Sequence, residues 1–484
     1  MTGTVCVVGA SFAGIPTAKV FLNDGFDVTV YEKSDEVGGT WSSSRRYVNL
    51  NNQMEPGTFE LIDKPWGSGY TPAEEMQAYL REYATEFDVL DLVEFETEVV
   101  DVASDGDDWV VETRSRNERG DPTVETHRFD YVVVCSGAYD RPNVAEFPGR
   151  ASFEGEVYHS SELGDADRVA DEDVAVVGCG TSAVDVATES ARVADSTTMV
   201  FRRPHWLLPK KLWGVLPRRW FVYTRLGEAL LPRYYNEETW RLPDRIPATV
   251  KRWYASLLEH GIATGAGYDE LPDELVPEQS PLVQRPRGVM ADDFVPFVRS
   301  GRIEPRNDPV ERFRPEGLEL ESGERVDADV VVVATGYDHE YPFLSDDVRL
   351  KNDDGQFALY RGIVPPETDG LGIVGRREVF NNFLSMNLSA HWLSDYFRGE
   401  LVEMPTTEEM RESVRRRLSW MDEAVAEHRG YFFGPYHFHT YDELLLDMGV
   451  STRRRSNLVA EWLGPNARAR AYDGLGDERA SDRD

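Results

Sequence analysis

Cysteine is scarce in this chain, with three in 484 residues. Cys6, Cys135 and Cys179 lie far apart and make neither a CxxC pair nor a metal-ligand spacing, which argues against a disulfide framework, a dithiol redox centre and a cysteine-held metal, and points to a reducing interior. Lysine is also rare: of 52 basic residues only 7 are lysine, against 87 acids, and the net charge of −35 is spread along the whole length. That balance argues against nucleic acid as a partner. A diffusely acidic chain that relies on arginine fits a protein kept hydrated in molar salt, as in an extreme halophile, although an ordinary acidic cytosolic protein shares the sign. No uncharged apolar run approaches the roughly 20 residues that span a bilayer. The opening MTGTVCVVGASFAG has no basic start and no cleavage site, so the expected location is cytoplasmic. The length suits two or three globular domains.

Glycine, by contrast, is placed with a pattern. Residues 4–8 read as a short apolar strand, followed by Gly9-Ala10-Ser11-Phe12-Ala13-Gly14, a helix through Leu22, a turn at Gly25 and a second strand, 27–31, ending in Glu32. Such a βαβ unit suits a dinucleotide. Gly9 permits the tight turn, Gly14 permits close helix–sheet packing, and the helix N-terminus offers free N–H groups to a pyrophosphate. Ser11 stands where the middle glycine of the pattern belongs, and Glu32 is spaced to accept hydrogen bonds from a ribose or to be a solvated strand-end acid. A second unit has its strand at 174–177, its turn at Gly178-Cys179-Gly180-Thr181-Ser182-Ala183, a helix, and a strand near 198–201 that ends in Arg202-Arg203. Guanidinium groups there attract a 2′-phosphate that an acid would repel. One unit ending in Glu and the other in Arg implies two different dinucleotides, and FAD with NADPH satisfies that arithmetic. Two further apolar strands end in small-residue turns: VVVCSG at 132–137, and 330–333 before Ala334-Thr335-Gly336-Tyr337, the latter expected to return the chain to the first domain.

The ordered set of Gly9 turn, Glu32, Gly38-Gly39-Thr40-Trp41, VVVCSG, FEGEVYHSSEL (153–163), second glycine turn, ATGY and YDELLLDMG resembles the flavin-containing monooxygenases, a branch of the class B flavoprotein monooxygenases, over residues 4–449. The resemblance implies an α/β fold with two Rossmann-like dinucleotide-binding domains, the second inserted in the first. The FAD domain is expected at 1–150 and 327–449, the NADPH domain at 165–326, and an extension with a tail at 450–484. It implies that Gly9, Ser11, Gly14, Glu32, Gly39 and Trp41 hold FAD, that Gly178, Gly180, Thr181, Ser182, Arg202 and Arg203 hold NADPH, and that Thr335 and Gly336 belong to the cofactor site. Phe153, Gly155 and His159 would set how the coenzyme domain docks on the flavin, with His159 either a chemical participant or a hydrogen-bonded hinge residue. The family motif normally closes on an aromatic residue where this chain has Leu163. The family also carries an asparagine six residues after a tyrosine; counting from Tyr47 gives Gln53, with Asn52 one short, and either amide could donate toward the flavin.

Implied with the resemblance is oxygenation of a nucleophilic nitrogen or sulfur of a small molecule by a C4a-hydroperoxyflavin, with NADPH and O₂ consumed. The competing readings are a Baeyer–Villiger monooxygenase acting on ketones, an NADPH oxidase or reductase, and a non-catalytic flavin-binding protein. A metal has no place in any of them, and a homodimer stays open.

Residues 201–260 depart from the acidic average, with five tryptophans and 12 basic residues against 5 acids. Pro209, Gly214, Pro217 and Pro232 should break this insertion, at about 204–290, into short helical pieces. It would serve as a lid, an interdomain or subunit contact, or a weak interfacial membrane patch. Helical spacing is expected around Met410 to Leu418, an aromatic segment at 431–441 should pack on the flavin domain, and the charged end DGLGDERASDRD reads as a frayed tail. Replacing Arg202 and Arg203 together by Ala is expected to raise the KM for NADPH while leaving NADH use almost unchanged. Steady-state kinetics with both coenzymes check this, and an equal loss with each would refute the 2′-phosphate assignment.

Overall fold

In the computed structural model, residues 2–117, 119–231, 235, 246–278, 280, 288–376, 379–424 and 434–481 are described. Two five-stranded parallel sheets organise them. The first runs Leu371–Ile373, Tyr131–Val134, Thr4–Val8, Asp27–Tyr31, Val93–Glu94, and the second Glu304–Arg306, Ser196–Val200, Asp173–Val177, Val330–Val333, Glu156–His159. Strands covered on both faces read as unbroken apolar runs, which is what TVCVV, YVVV, DVAVV and VVVV are. In each sheet the strand that feeds a glycine turn lies between the strand of its own βαβ unit and a strand that ends in a small-residue turn.

The strand Val330–Val333 does not return the chain to the first sheet as expected. It pairs with Asp173–Val177 in the second, Val174 opposite Val330, and the chain re-enters the first sheet only at Leu371–Ile373. A buried valine run suits any parallel sheet, so its composition says nothing about which one it joins. The two crossings between the units meet each other: Arg141–Pro142 from the outgoing crossing pairs antiparallel with Tyr337–Asp338 from the returning one.

The described residues of the tryptophan-rich insertion hold more regular structure than its breakers suggested. Trp206–Leu208 pairs with Gly288–Met290, Lys211–Leu212 forms a hairpin with Leu216–Pro217, and Ala248–Ala266 is a 19-residue helix that stops at Gly267, whose φ of +70° terminates it. Gly261 within that helix lets the Trp213 ring lie against it, because an added Cβ would sit 2.9 Å from the ring. Trp206, Leu212, Tyr223, Tyr254 and Leu258 share one buried cluster with Phe12 of the first glycine turn and with Tyr436 and Tyr441 near the C-terminus, so the insertion is an interdomain contact. Trp220 and Trp253 remain exposed, while Trp240 and Pro232 lie outside the described residues. No helix among the described residues is long and apolar enough to cross a membrane.

Helices Asn382–Arg398, Thr407–Ala424 and His437–Asp447 complete the first unit; Tyr431, the start of the expected aromatic segment, lies outside the described residues. Of the tail expected to fray, the described residues up to Ser481 are ordered, and 482–484 lie outside the described residues. Leu475–Ser481 is a helix, and Arg479, 2 % exposed, reaches Asp395 and Asp24 (2.9 Å) and shares a hydrogen bond with His391. His391 accepts as a neutral imidazole, since burial and the guanidinium hold its pKa well below the usual value. Low apolar content hid this docking, because it rests on paired charge together with one buried leucine, Leu475. Arg479→Ala would leave the fully buried Asp395 with Arg398 (2.8 Å) but without its second guanidinium, and losing hydrogen bonds to a charged group costs roughly 1.5–3 kcal/mol. Chemical denaturation should show a loss of this size; a change below about 1 kcal/mol would mean the tail contributes no lasting contact.

Candidate functional site

The first crevice opens at the C-terminal ends of Thr4–Val8 and Tyr131–Val134, where open α/β sheets bind ligands. Gly9 has φ +103°, and a Cβ there would lie 3.0 Å from the Cys135 carbonyl oxygen; a Cβ on Gly14 would lie 1.8 Å from the Gly9 oxygen. Both positions therefore exclude a side chain. Ser11 donates its hydroxyl to the Gly38 carbonyl (2.8 Å), and Gly38 N–H donates to Ala10 (3.1 Å), so the residue that replaces the middle glycine locks the Gly38–Trp41 turn onto the first one. The helix Gly14–Asn23 starts without a side-chain cap and without an acid in its first turn, leaving its N–H groups for an anion.

Glu32 is buried, which rules out the solvated strand-end acid. Its Oε2 accepts from Ala10 N–H (2.8 Å), and its Oε1 accepts from Ser34 N–H (2.9 Å) and Ser34 Oγ–H (2.6 Å). An ionised carboxylate has about four acceptor sites, so one on Oε2 stays open. Phe12 stacks on Phe383 (4.0 Å between ring centroids), which stacks on Phe59 (4.4 Å), giving the turn an apolar wall.

The second crevice repeats the first. Gly178 has φ +141°, and a Cβ there would lie 2.4 Å from the Ala334 oxygen, while Gly180 faces open space. The helix Thr181–Val193 also begins uncapped by any side chain. Arg202 and Arg203 lie just past Ser196–Val200, as Glu32 lies just past Asp27–Tyr31, but both arginines are exposed.

The loop 47–53 packs against the second unit, with Tyr47 and Val48 in its core. Gln53 directs its Nε2 to Asp185 Oδ1 (3.4 Å), so that amide is spoken for. Asn52 is fully buried; its Oδ1 accepts from Met54 N–H (2.9 Å) and its Nδ2 has no partner, so of the two candidate amides it is the one whose nitrogen is buried and wholly unengaged. His159 uses both ring nitrogens within the protein: Nδ1 accepts from Ser161 N–H (3.2 Å), and Nε2–H donates to the Gly336 carbonyl (3.1 Å). Gly336 also accepts Asn143 N–H, and Thr335 donates its hydroxyl to the Asn143 carbonyl (2.6 Å), so Thr335, Gly336 and His159 together fasten the crossing between the units. Gly155 is required by its neighbour, since a Cβ there would lie 2.0 Å from Asp329 O, and Phe153 packs edge-on against Phe313. Phe153 and Gly155 thus seat a strand on the second sheet rather than on the flavin unit. The residue of that motif that touches the first unit is Leu163, whose carbonyl accepts Val48 N–H (2.8 Å).

Comparison with known proteins assigns this architecture: residues 2–452 match the model of the family described as flavin-binding monooxygenase-like. The chain belongs to that family. Among curated proteins, the probable flavin-containing monooxygenase 1 of Arabidopsis thaliana is 27 % identical over 522 residues, covering 95 % of this chain and 94 % of its own. Among solved structures, the S-allyl-L-cysteine S-oxygenase of Allium sativum superposes with a TM-score of 0.65 at 22 % identity, covering 93 % of this chain and 89 % of its own. OTEMO, solved in complex with FAD and NADP, superposes with a TM-score of 0.67 at 17 % identity, covering 91 % and 97 %. These two likenesses show the fold. The chain is an oxidoreductase of the flavin monooxygenase type, with mixed α/β architecture.

The first crevice fits the flavin dinucleotide of this family: glycines where a Cβ would collide, an uncapped helix start, and a buried Asn52 donor with nothing to bond. Sequence reasoning passed over Asp185. The signal was present in AVDVA, an acid in the middle of a small apolar stretch on a buried helix. For His159, burial lowers the pKa below its ordinary 6.5, so the folded protein holds it neutral while the unfolded chain takes up a proton near that value. Its contribution to stability is therefore complete above pH 6.5 and is lost as the pH falls below it. The gap in melting temperature between the wild type and His159→Asn should shrink as pH drops from about 7 to about 5. A gap that stays constant would contradict this role.

Proposed function

We propose that this flavin monooxygenase uses FAD and NADPH to oxygenate a nucleophilic nitrogen or sulfur of a small molecule. The observation that carries the reading is that two glycine crevices of the same construction end in opposite charges, a buried Glu32 in one and the exposed pair Arg202 and Arg203 in the other. The open site on Glu32 Oε2 accepts a ribose hydroxyl of FAD, and the helix start at Gly14 takes the pyrophosphate. In the second crevice, the turn from Gly178 to Ser182 takes the NADPH pyrophosphate and the arginine pair takes the 2′-phosphate. When bound, the flavin supplies the redox chemistry, accepting hydride from the nicotinamide and activating O₂. Asn52 donates its unused Nδ2–H to that flavin. The stacked Phe12, Phe383 and Phe59 keep water from the crevice, which suppresses loss of reduced oxygen as H₂O₂.

Support for heteroatom oxygenation comes from the relatives: the Allium sativum structure is of an S-oxygenase, and the Arabidopsis protein is named a flavin-containing monooxygenase. The lysine-poor, acidic surface further suggests a protein adapted to concentrated salt, so the assay belongs in about 2 M KCl. The purified protein, mixed anaerobically with NADPH, should lose its yellow colour, and should do so faster than with NADH. Admitting O₂ with an alkyl sulfide or a tertiary amine should then give sulfoxide or N-oxide. Quantitative H₂O₂ with every substrate would make it an oxidase, and an ester formed from a cyclic ketone with no heteroatom product would make it a Baeyer–Villiger enzyme.

A further inference from the structure

One side chain of the second glycine helix collects contacts from the loop that carries Asn52. Asp185 lies one turn into Thr181–Val193 and is 6 % exposed. Its Oδ2 accepts the Tyr47 hydroxyl at 2.9 Å, its Oδ1 accepts the Gln53 amide at 3.4 Å, and its backbone carbonyl accepts Asn49 Nδ2 at 3.4 Å. Ser182, three residues before Asp185 and thus on the same helix face, lies inside the turn assigned to NADPH. Polar contacts thereby run from Tyr47 through Asp185 to Gln53, and Asn52 is the next residue along the loop.

The chemistry of the position is costly. A carboxyl taken out of water is penalised, and here burial, with Asp293 adding to it and the Tyr47 hydrogen bond opposing it, pushes the Asp185 pKa up to about 7. A small apolar residue would pack between Val184 and Val186 without that penalty. What only a side chain of this shape supplies is a two-oxygen acceptor facing two donors at the two ends of one loop. The loop has a second tie to the nicotinamide unit in the Val48–Leu163 backbone bond, so Asp185 does not hold the units together alone; it fixes where residues 47–53 sit against the helix.

We propose that Asp185 is a positioning residue that, through Tyr47 and Gln53, registers the Asn52 loop of the flavin unit against the NADPH helix, so that hydride donor and acceptor meet in the reactive geometry. It makes no contact of its own with the 2′-phosphate site, and the proposal rests on the assignment of the second crevice to NADPH. Misplacement of reacting groups by about 1 Å can cost about 100-fold in rate with binding little changed, which sets the scale of the effect.

The test is anaerobic stopped-flow reduction of the holoenzyme by NADPH, together with the fraction of consumed NADPH recovered as oxygenated product. Asp185→Ala should slow reduction about tenfold or more and lower that fraction, with the KM for NADPH changed by about twofold or less. Asp185→Asn keeps the shape and one acceptor and should restore most of the rate. Tyr47→Phe, which removes a single hydroxyl and serves where the alanine variant fails to fold, should share the defect. The double variant Asp185→Ala with Tyr47→Phe should be no slower than the slower single one, because both break the same contact. Wild-type reduction rates in both Asp185→Asn and Tyr47→Phe, alongside an unimpaired Asp185→Ala, would overturn the proposal, as would fully multiplicative losses in the double variant. A wild-type protein that NADPH does not bleach would instead fault the cofactor assignment itself.

Discussion

Each sheet brings a backbone turn against the carbonyl at the end of a neighbouring strand, with no room between them for a side chain. Gly9 faces Cys135 O and Gly178 faces Ala334 O, both at positive φ, and an alanine at either place would meet backbone rather than a movable side chain. This closeness opens the crevice beyond the strand ends, aims the helix starts at Gly14 and Thr181 into it, and places Glu32 at one rim and Arg202 with Arg203 at the other. Because the same device is built twice, the remaining structural problem is to hold the two copies in a fixed relation. The paired crossings at Arg141–Pro142 and Tyr337–Asp338, the His159–Gly336 bond and the Tyr47–Asp185 bond all serve that relation.

Stability of the assembly leans on buried and half-buried arginine. Arg225 binds Asp442 and Glu461 and the Thr452 carbonyl, Arg361 binds Asp447 and Glu443, and Arg479 binds Asp395 and Asp24, each tying distant parts of the chain together. A planar fork that stays charged is suited to such sites in a way lysine is not. At about 1 M salt the Debye length falls to roughly 3 Å, so exposed ion pairs lose most of their attraction while buried pairs keep theirs. The cohesive charges of these three arginines thus lie largely inside, away from screening by salt.

Much of this was legible in the sequence because it depends on local geometry. The strands Thr4–Val8, Asp27–Tyr31 and Val330–Val333, and both glycine turns, follow from valine runs and from Gly9, Gly14 and Gly178, where a Cβ would meet backbone. What was not legible depends on partners far along the chain. The sheet joined by Val330–Val333 is decided by its pairing with Asp173–Val177; the order of the last helix by Arg479 meeting acids at 24 and 395; and the choice between Asn52 and Gln53 by Asp185, 132 residues from Gln53. In the insertion, proline and glycine broke the first part as read, yet Gly261 and Gly265 inside Ala248–Ala266 are accommodated because tertiary packing against Trp213 and Pro209 uses the space they leave.

The central claim is that the two crevices hold two different dinucleotides face to face. A crystal structure grown with FAD and NADP⁺ tests it most directly. The expected density is a pyrophosphate on each glycine turn, a 2′-phosphate on Arg202 and Arg203, and the nicotinamide stacked on the flavin ring at about 3–3.5 Å, the separation of reacting groups. Density for a dinucleotide in only one crevice at saturating concentrations, or two rings held well apart, would contradict it.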